Sequence, residues 1–308
     1  MSSQRSLPLT GVAQALGGYI FWGLFPLYFV PLAGVLSSEV LAHRIIGALV
    51  LLALLFGVQG RFGELRGALR SALGSARRMG FYLLTSGLIS ANWLIYIWAI
   101  QNAHVLDASM GYFINPLVSV LLAMVFLGER LRRFQWLAVL LVAIGVGFMV
   151  IGYGAIPWVA LSLAFSFGTY GLLRKKARLP AMSALWVETL ILSPLALAWL
   201  LWLYNHGSLS IGHLGWKIDA WLLLAGAVTV LPLYLFLSSM RHLNLTTIGI
   251  LQYLAPSLQF LIGLWLGERF GEERWVTFGF IWMALVVFTW DALRHARQVR
   301  VSRRKIDS

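Results

Sequence analysis

Apolar runs about twenty residues long follow one another down this chain, separated by short polar joints, and nothing else in it constrains the fold so strongly. Crossing the hydrocarbon core of a bilayer takes about 20 residues of helix at roughly 1.5 Å rise each. Ten runs reach that length, at 11–30, 39–58, 79–101, 105–127, 134–152, 155–173, 181–204, 219–240, 244–266 and 275–293. Segments such as LVLLALLFGV and LAVLLVAIGV are apolar on every side, whereas strands of a membrane barrel alternate apolar and polar residues. The expected fold is an all-α integral membrane protein of ten transmembrane helices. Only 11% of the residues are charged and the mean hydropathy is +0.81, against about 25% charged residues in an ordinary soluble domain.

The first run is long, follows one basic residue, Arg5, and carries no clear cleavage site, so a cleavable signal is not expected. With no cysteine, disulfides, thiolate nucleophiles and thiolate metal sites are all excluded. A net charge of +13 would point to nucleic acid in a soluble protein. Here its distribution fits the positive-inside rule, with the N-terminus cytoplasmic. The inner segments then carry Arg61, Arg66, Arg70, Arg77 and Arg78, then Arg130, Arg132 and Arg133, then Arg174, Lys175, Lys176 and Arg178, and the basic C-terminal tail. The outer segments hold only Lys217, Arg269 and Arg274. The basic excess is therefore read as a topology signal and an attraction to anionic lipid, not as nucleic-acid binding. Between the second and third runs, Leu65, Leu69 and Leu73 share one helical face, predicting a helix that lies along the inner membrane surface.

The stretch DASMGYFINPLVSVLLAMVFLGER, 107–130, has an echo in LTTIGILQYLAPSLQFLIGLWLGER, 245–269. An offset of 140 pairs Tyr112 with Gln252, Pro116 with Pro256 and Ser119 with Gln259, and both stretches finish on Leu-Gly-Glu-Arg. Weaker matches at an offset of 145 pair Trp22-Gly23 with Phe167-Gly168 and His43 with Glu188. The chain reads as two copies, 1–152 with helices 1–5 and 153–308 with helices 6–10 and the basic tail. Five helices is an odd number, so the second copy enters the membrane inverted. Inverted repeats are a common architecture of secondary transporters, because near-equivalent halves can exchange conformations around a central site.

GGYIFWGLFPLYF, EVLAHR, NWLIYIWAIQN, ASMGYFINPLV, LAFSFGTYGLLRKK and QYLAPSLQFL, in this order, resemble the RarD family. These are the chloramphenicol-sensitivity permeases of the EamA group in the drug/metabolite transporter superfamily. The resemblance runs over about residues 11–293. It implies a ten-helix bacterial inner-membrane transporter built of two inverted five-helix EamA repeats, with both termini cytoplasmic and a central cavity lined by helices 1, 3, 4, 6, 8 and 9. It implies no particular physiological solute.

Several residues could line such a path. Helix 4 sets Ala108, Tyr112, Asn115 and Ser119 on one stripe. Pro116 has no N–H for the Tyr112 carbonyl, so a kink is expected there, satisfied either by a neighbouring helix or by water and solute in a cavity. Helix 9 repeats the pattern around Pro256 with Gln252, Tyr253 and Gln259. Helix 3 adds Thr85, Asn92 and Tyr96 with Trp93 beside them, helix 6 adds Ser162, Ser166 and Tyr170, and helix 1 adds Tyr19 and Trp22. Each aromatic among these also has an ordinary reading as a membrane-interface residue. Charges inside the spans are few. Glu39, His43 and Arg44 lie near the outer start of helix 2, and Arg44, roughly 8 Å into the span, either snorkels, pairs with Glu39 or touches solute. Glu188 in helix 7 suits a proton carrier or a structural hydrogen bond. Asp107, close to His104, reads as a helix N-terminal charge.

HExxH, GxSxG and GxxxxGK[ST] are absent, as is any His/Asp/Glu cluster with metal-ligand spacing, so neither an enzyme, a cofactor nor a metal is expected. The expected function is a secondary carrier for a small neutral or zwitterionic organic solute or drug, with a channel or a non-transporting scaffold as the alternatives. Its expected partners are that solute and the lipid bilayer. A proton or other coupling ion is a candidate, and a homodimer is left open. Phosphorylated substrates fit poorly, because Arg44 is the one basic residue within a span.

Overall fold

A computed structural model describes residues 9–128, 131–153, 156–176, 179–239, 242–243, 251–269 and 271–306. Every regular element among these residues is helical. The chain begins with α1 (Leu9–Gly23) and α2 (Phe25–Phe29), which runs into a 3-10 turn at Val30–Leu32. The first apolar run is thus not one straight helix but is bent by 45° at Leu24. The cause is Pro26, which has no N–H to give the Trp22 carbonyl and whose ring crowds that oxygen.

There follow α3 (Ser37–Val58), α4 (Phe62–Leu73), α5 (Ala76–Gln101), α6 (Val105–Leu127), α7 (Arg133–Tyr153) and α8 (Trp158–Lys176). Then come α9 (Ala181–Asn205), α10 (Trp216–Ser239), α11 (Leu254–Trp265) and α12 (Glu272–Ile306). Among the described residues five helices are long and apolar enough to cross a membrane, α3, α5, α6, α9 and α10, and the bent α1–α2 pair makes up to six. Arg133–Phe148, Leu254–Trp265 and Trp275–Asp291 are shorter apolar stretches. Part of the expected run at 244–266 lies outside the described residues.

The polarity is that of a protein dissolved in lipid. Leu54, Leu195, Leu201, Leu223 and Val286 are exposed, while Asn92, Glu188, Thr229 and Gln259 are buried. Ordinary hydrophobic clusters hold the inside, one around Phe25, Phe29, Tyr96 and Ile97 and another around Met110, Leu117, Phe278 and Ile281.

α1 lies against α10 and α11, and α8 against α5 and α6. α3 packs on α10 and α9 on α5, and α3–α9, α6–α11 and α7–α12 also lie side by side. Two glycines set the closest of these approaches. A Cβ on Gly47 would stand 2.9 Å from the Gly226 Cα, so α3 and α10 touch backbone to backbone.

The amphipathic α4 forms where periodicity places it, but its buried edge differs from the leucine stripe. Leu65, Ala68 and Ala72 are buried against the protein while Leu73 is exposed. Their spacing of three and four residues follows the 3.6-residue turn, and small Ala68 and Ala72 let α4 seat on Ala184 and Val187 of α9.

Candidate functional site

The charged residues at the start of α3 part company. Glu39 is fully buried and its carboxylate accepts from Ser210 N and Oγ, both at 2.8 Å, and from Ile211 N at 3.4 Å. It therefore ties α3 to the loop between α9 and α10. His43 Nε2 stands 3.9 Å from the same carboxylate. Arg44, eighth residue of α3, does not snorkel and does not pair with Glu39. It is 4% exposed, donates from Nε to Thr229 Oγ1 of α10 at 2.7 Å, and lies over the rings of Trp93, Phe25 and Phe29 at 4.3, 5.5 and 5.8 Å.

From Arg44 a chain of aromatic rings runs through α5, α6 and α8, starting in the buried core and passing the exposed Phe167. Tyr96 packs against Phe25 and Phe29 with centroids 6.2 and 5.9 Å away, and against Tyr112 of α6 at 5.6 Å. Tyr112 meets Phe167 of α8 at 6.3 Å, and Phe167 meets Tyr170 at 6.2 Å. The Tyr170 hydroxyl donates to Glu188 Oε2 of α9 at 2.9 Å, and Arg174 Nη1 lies 4.0 Å from Glu188 Oε1. The lane thus runs from one charged station on α3 to a second on α9, two helices that pack against each other. Edge-on ring contacts of this kind fix side-chain orientation as well as burying area.

Polar groups flank the lane. Asn92 Nδ2 donates to Ser166 Oγ at 2.9 Å and to the Leu163 carbonyl at 3.1 Å, bridging α5 and α8. Its Oδ1 is buried without a hydrogen-bond partner among the described residues, as are the Tyr96 hydroxyl and Asn115 Oδ1. A methyl at Gly168 would press on Val118 Cγ1 at 3.1 Å and Leu122 Cδ1 at 3.3 Å of α6, and would meet Asn115 Oδ1 at 3.6 Å, an ordinary contact. Buried polar atoms left without partners are uncommon, and several along one lane mark a place for water or solute.

Where α1 meets α10, Trp22 packs with Tyr19 at 5.7 Å and Phe236 at 5.4 Å. The Trp22 carbonyl released by Pro26 accepts from Gln259 Nε2 at 3.0 Å. A proline-freed carbonyl met by a neighbouring helix is thus seen at Pro26. α6 runs on through Pro116, and Pro256 sits in the first turn of α11, where a missing N–H costs little. Gln252 and Tyr253 lie in the turn before α11, and the Tyr253 hydroxyl is buried with no partner among the described residues.

The structure therefore gathers Arg44, Asn92, Tyr96, Tyr112, Asn115, Ser166, Tyr170 and Glu188 along one lane. It sets Trp22 at the α1–α11 contact, Tyr253 against the cluster around Met110 and Phe278, Gln252 in the turn before α11, and His43 with Glu39 at the α3 end. Thr229, Phe25, Phe29 and Ser210 escaped the sequence reading. Phe25 and Phe29 flank Pro26 in FPLYF, which was a usable signal, whereas Thr229 and Ser210 act only through partners far along the chain.

A family model described as the EamA-like transporter family matches the chain twice, over residues 9–151 and 155–290. An uncharacterized transporter of Vibrio cholerae is 43% identical over 294 residues, covering 95% of this chain and 96% of the relative. Protein RarD of Streptomyces exfoliatus is 43% identical over 292 residues, covering 94% and 91%. A solved crystal structure with 18% identity covers 92% of this chain and 98% of its own at a TM-score of 0.58, a likeness of fold.

Proposed function

The chain belongs to the RarD branch of the EamA-like transporter family, and from that premise we propose a secondary carrier working by alternating access. It moves a small neutral or zwitterionic organic solute or drug across the bacterial inner membrane, through ten helices arranged as two inverted repeats, 1–152 and 153–308, with both termini cytoplasmic. Two separate matches to one family model, and a packing order that survives exchange of the halves, support the repeat. The observation that carries transport is the aromatic lane with its unpartnered buried oxygens, enclosed by helices whose outer faces are apolar. In lipid such oxygens are costly unless water or solute meets them. Asn115 and Gln252 bond the solute's polar groups, and Tyr112, Tyr96 and Trp22 pack its apolar part.

Counterflow in proteoliposomes tests this. A carrier accelerates uptake of labelled solute when unlabelled solute is trapped inside, and a channel or scaffold does not. Replacing Asn115 by Ala lowers exchange at least tenfold at unchanged membrane abundance, whereas a parallel fall in abundance assigns the residue to packing. A metabolite comparison of cells with and without the protein, inside and outside, supplies both cargo and direction.

A further inference from the structure

Arg44 carries a full positive charge into the interior of the helix bundle. A cation taken out of water is costly unless a counter-charge or a complete set of hydrogen bonds meets it. The nearest carboxylate in sequence, Glu39, is committed to Ser210 and Ile211. Arg44 enters no ion pair among the described residues, and its described hydrogen bond uses Nε alone, to Thr229. Trp93, Phe25 and Phe29 lie at cation–π distance, which orients the guanidinium without neutralising it. A guanidinium has five N–H donors in a planar fork, so most of its capacity is unspent. Tyr96, packed on both Phe25 and Phe29, adds a buried hydroxyl with no partner among the described residues.

We propose that Arg44 anchors a carboxylate of the transported solute, and that Trp93, Phe25, Phe29 and Tyr96 receive the aromatic or apolar body attached to it. The proposal rests on the carrier reading and moves its solute class from neutral or zwitterionic molecules to zwitterions and monoanions that bear one carboxylate. A neutral solute leaves the guanidinium uncompensated. A phosphate ester brings a second negative charge, and the other cation on the lane, Arg174, already faces Glu188. One carboxylate matches the charge and accepts two parallel N–H bonds from the fork. Thr229 is a positioning residue here, holding Nε and leaving the terminal nitrogens for the solute.

The test uses purified full-length protein and four probes, phenylacetate and phenylalanine against phenylacetamide and phenylalaninamide. Ligand stabilisation against heat reads binding, and counterflow in proteoliposomes reads transport. At least one acid binds wild type ten times more tightly than its amide, Arg44→Gln brings that ratio within twofold, and Arg44→Lys retains part of it. If neither acid outbinds its amide on wild type, the anchor is overturned without any variant having to fold. A folded Arg44→Gln protein that keeps the wild-type ratio overturns it as well. Protein-dependent exchange of the amides at the rate of the acids keeps the carrier and removes the anchor. Acid-selective, Arg44-dependent binding with no counterflow of any probe keeps the anchor and removes the carrier.

Discussion

Single side chains in this protein answer needs created far away in the sequence. Pro26 leaves the Trp22 carbonyl without its helical donor, and Gln259 of α11 supplies one at 3.0 Å. Replacing Gln259 by Leu keeps the volume and removes the donor, leaving a carbonyl unpaired at the α1–α11 junction. The cost is about 1–3 kcal/mol, the usual penalty for an orphaned buried acceptor, and a lowered unfolding temperature in detergent measures it. Glu188 has a different task. It faces the Tyr170 hydroxyl and Arg174 from α8, with Tyr82 of α5 within electrostatic reach, and it closes one end of the aromatic lane. As a coupling carboxylate it can be separated from a structural one by what survives in Glu188→Gln. Exchange at equal pH on both sides should persist, and accumulation driven by an imposed proton gradient should vanish. Gradient-driven accumulation at the wild-type level in that variant reduces Glu188 to a hydrogen-bonding group.

Whole helices are placed by contacts that a hydropathy profile does not contain. α3 and α10 meet at Gly47 and Gly226, where neither backbone leaves room for a methyl. Gly226→Ala should force the helices apart and cost about 1–3 kcal/mol, as overpacking does elsewhere, seen as a sharp fall in folded yield. Gly171→Ala, with open space where its Cβ would stand, should leave yield unchanged. Both glycines sit in apolar helices among thirty in the chain, and sequence gives no sign of which one touches a neighbour. The helical type of the described elements was readable, because an apolar run near twenty residues has one stable form in lipid. The bend at Leu24 was readable in principle from Pro26. The seating of α4 on Ala68 and Ala72 was not, since the choice between a leucine edge and an alanine edge depends on the shape of α9. Arg44 was readable as an intramembrane charge that snorkels, pairs with Glu39 or touches solute, and setting aside the pairing required knowing that Ser210, 171 residues from Glu39, takes its carboxylate.

At the scale of the molecule, the proposed carrier of two exchangeable halves is fastened at one end. Glu268, from the Gly-Glu-Arg that follows α11, accepts from Val105 N at 2.5 Å and Leu106 N at 2.8 Å, the first free amides of α6. A carboxylate there satisfies donors that the helix itself cannot and sits at the positive end of its dipole, so the contact joins α6 to α11 firmly. Gly263 of α11 packs directly on Leu106. In the proposed topology this end faces outward, and solute entering from outside has to part it. The absence of cysteine makes the requirement testable. A Cβ on Gly263 would lie 3.1 Å from Leu106 Cγ, close enough for Leu106→Cys and Gly263→Cys together to form a disulfide, with the lost leucine volume making room for the added side chain. Oxidation should then lower counterflow below a tenth of the reduced rate, and reductant should restore it, while each single cysteine variant stays insensitive. Counterflow that continues at full rate across the closed disulfide would mean that α6 and α11 never separate there, and the path would have to open between other helices.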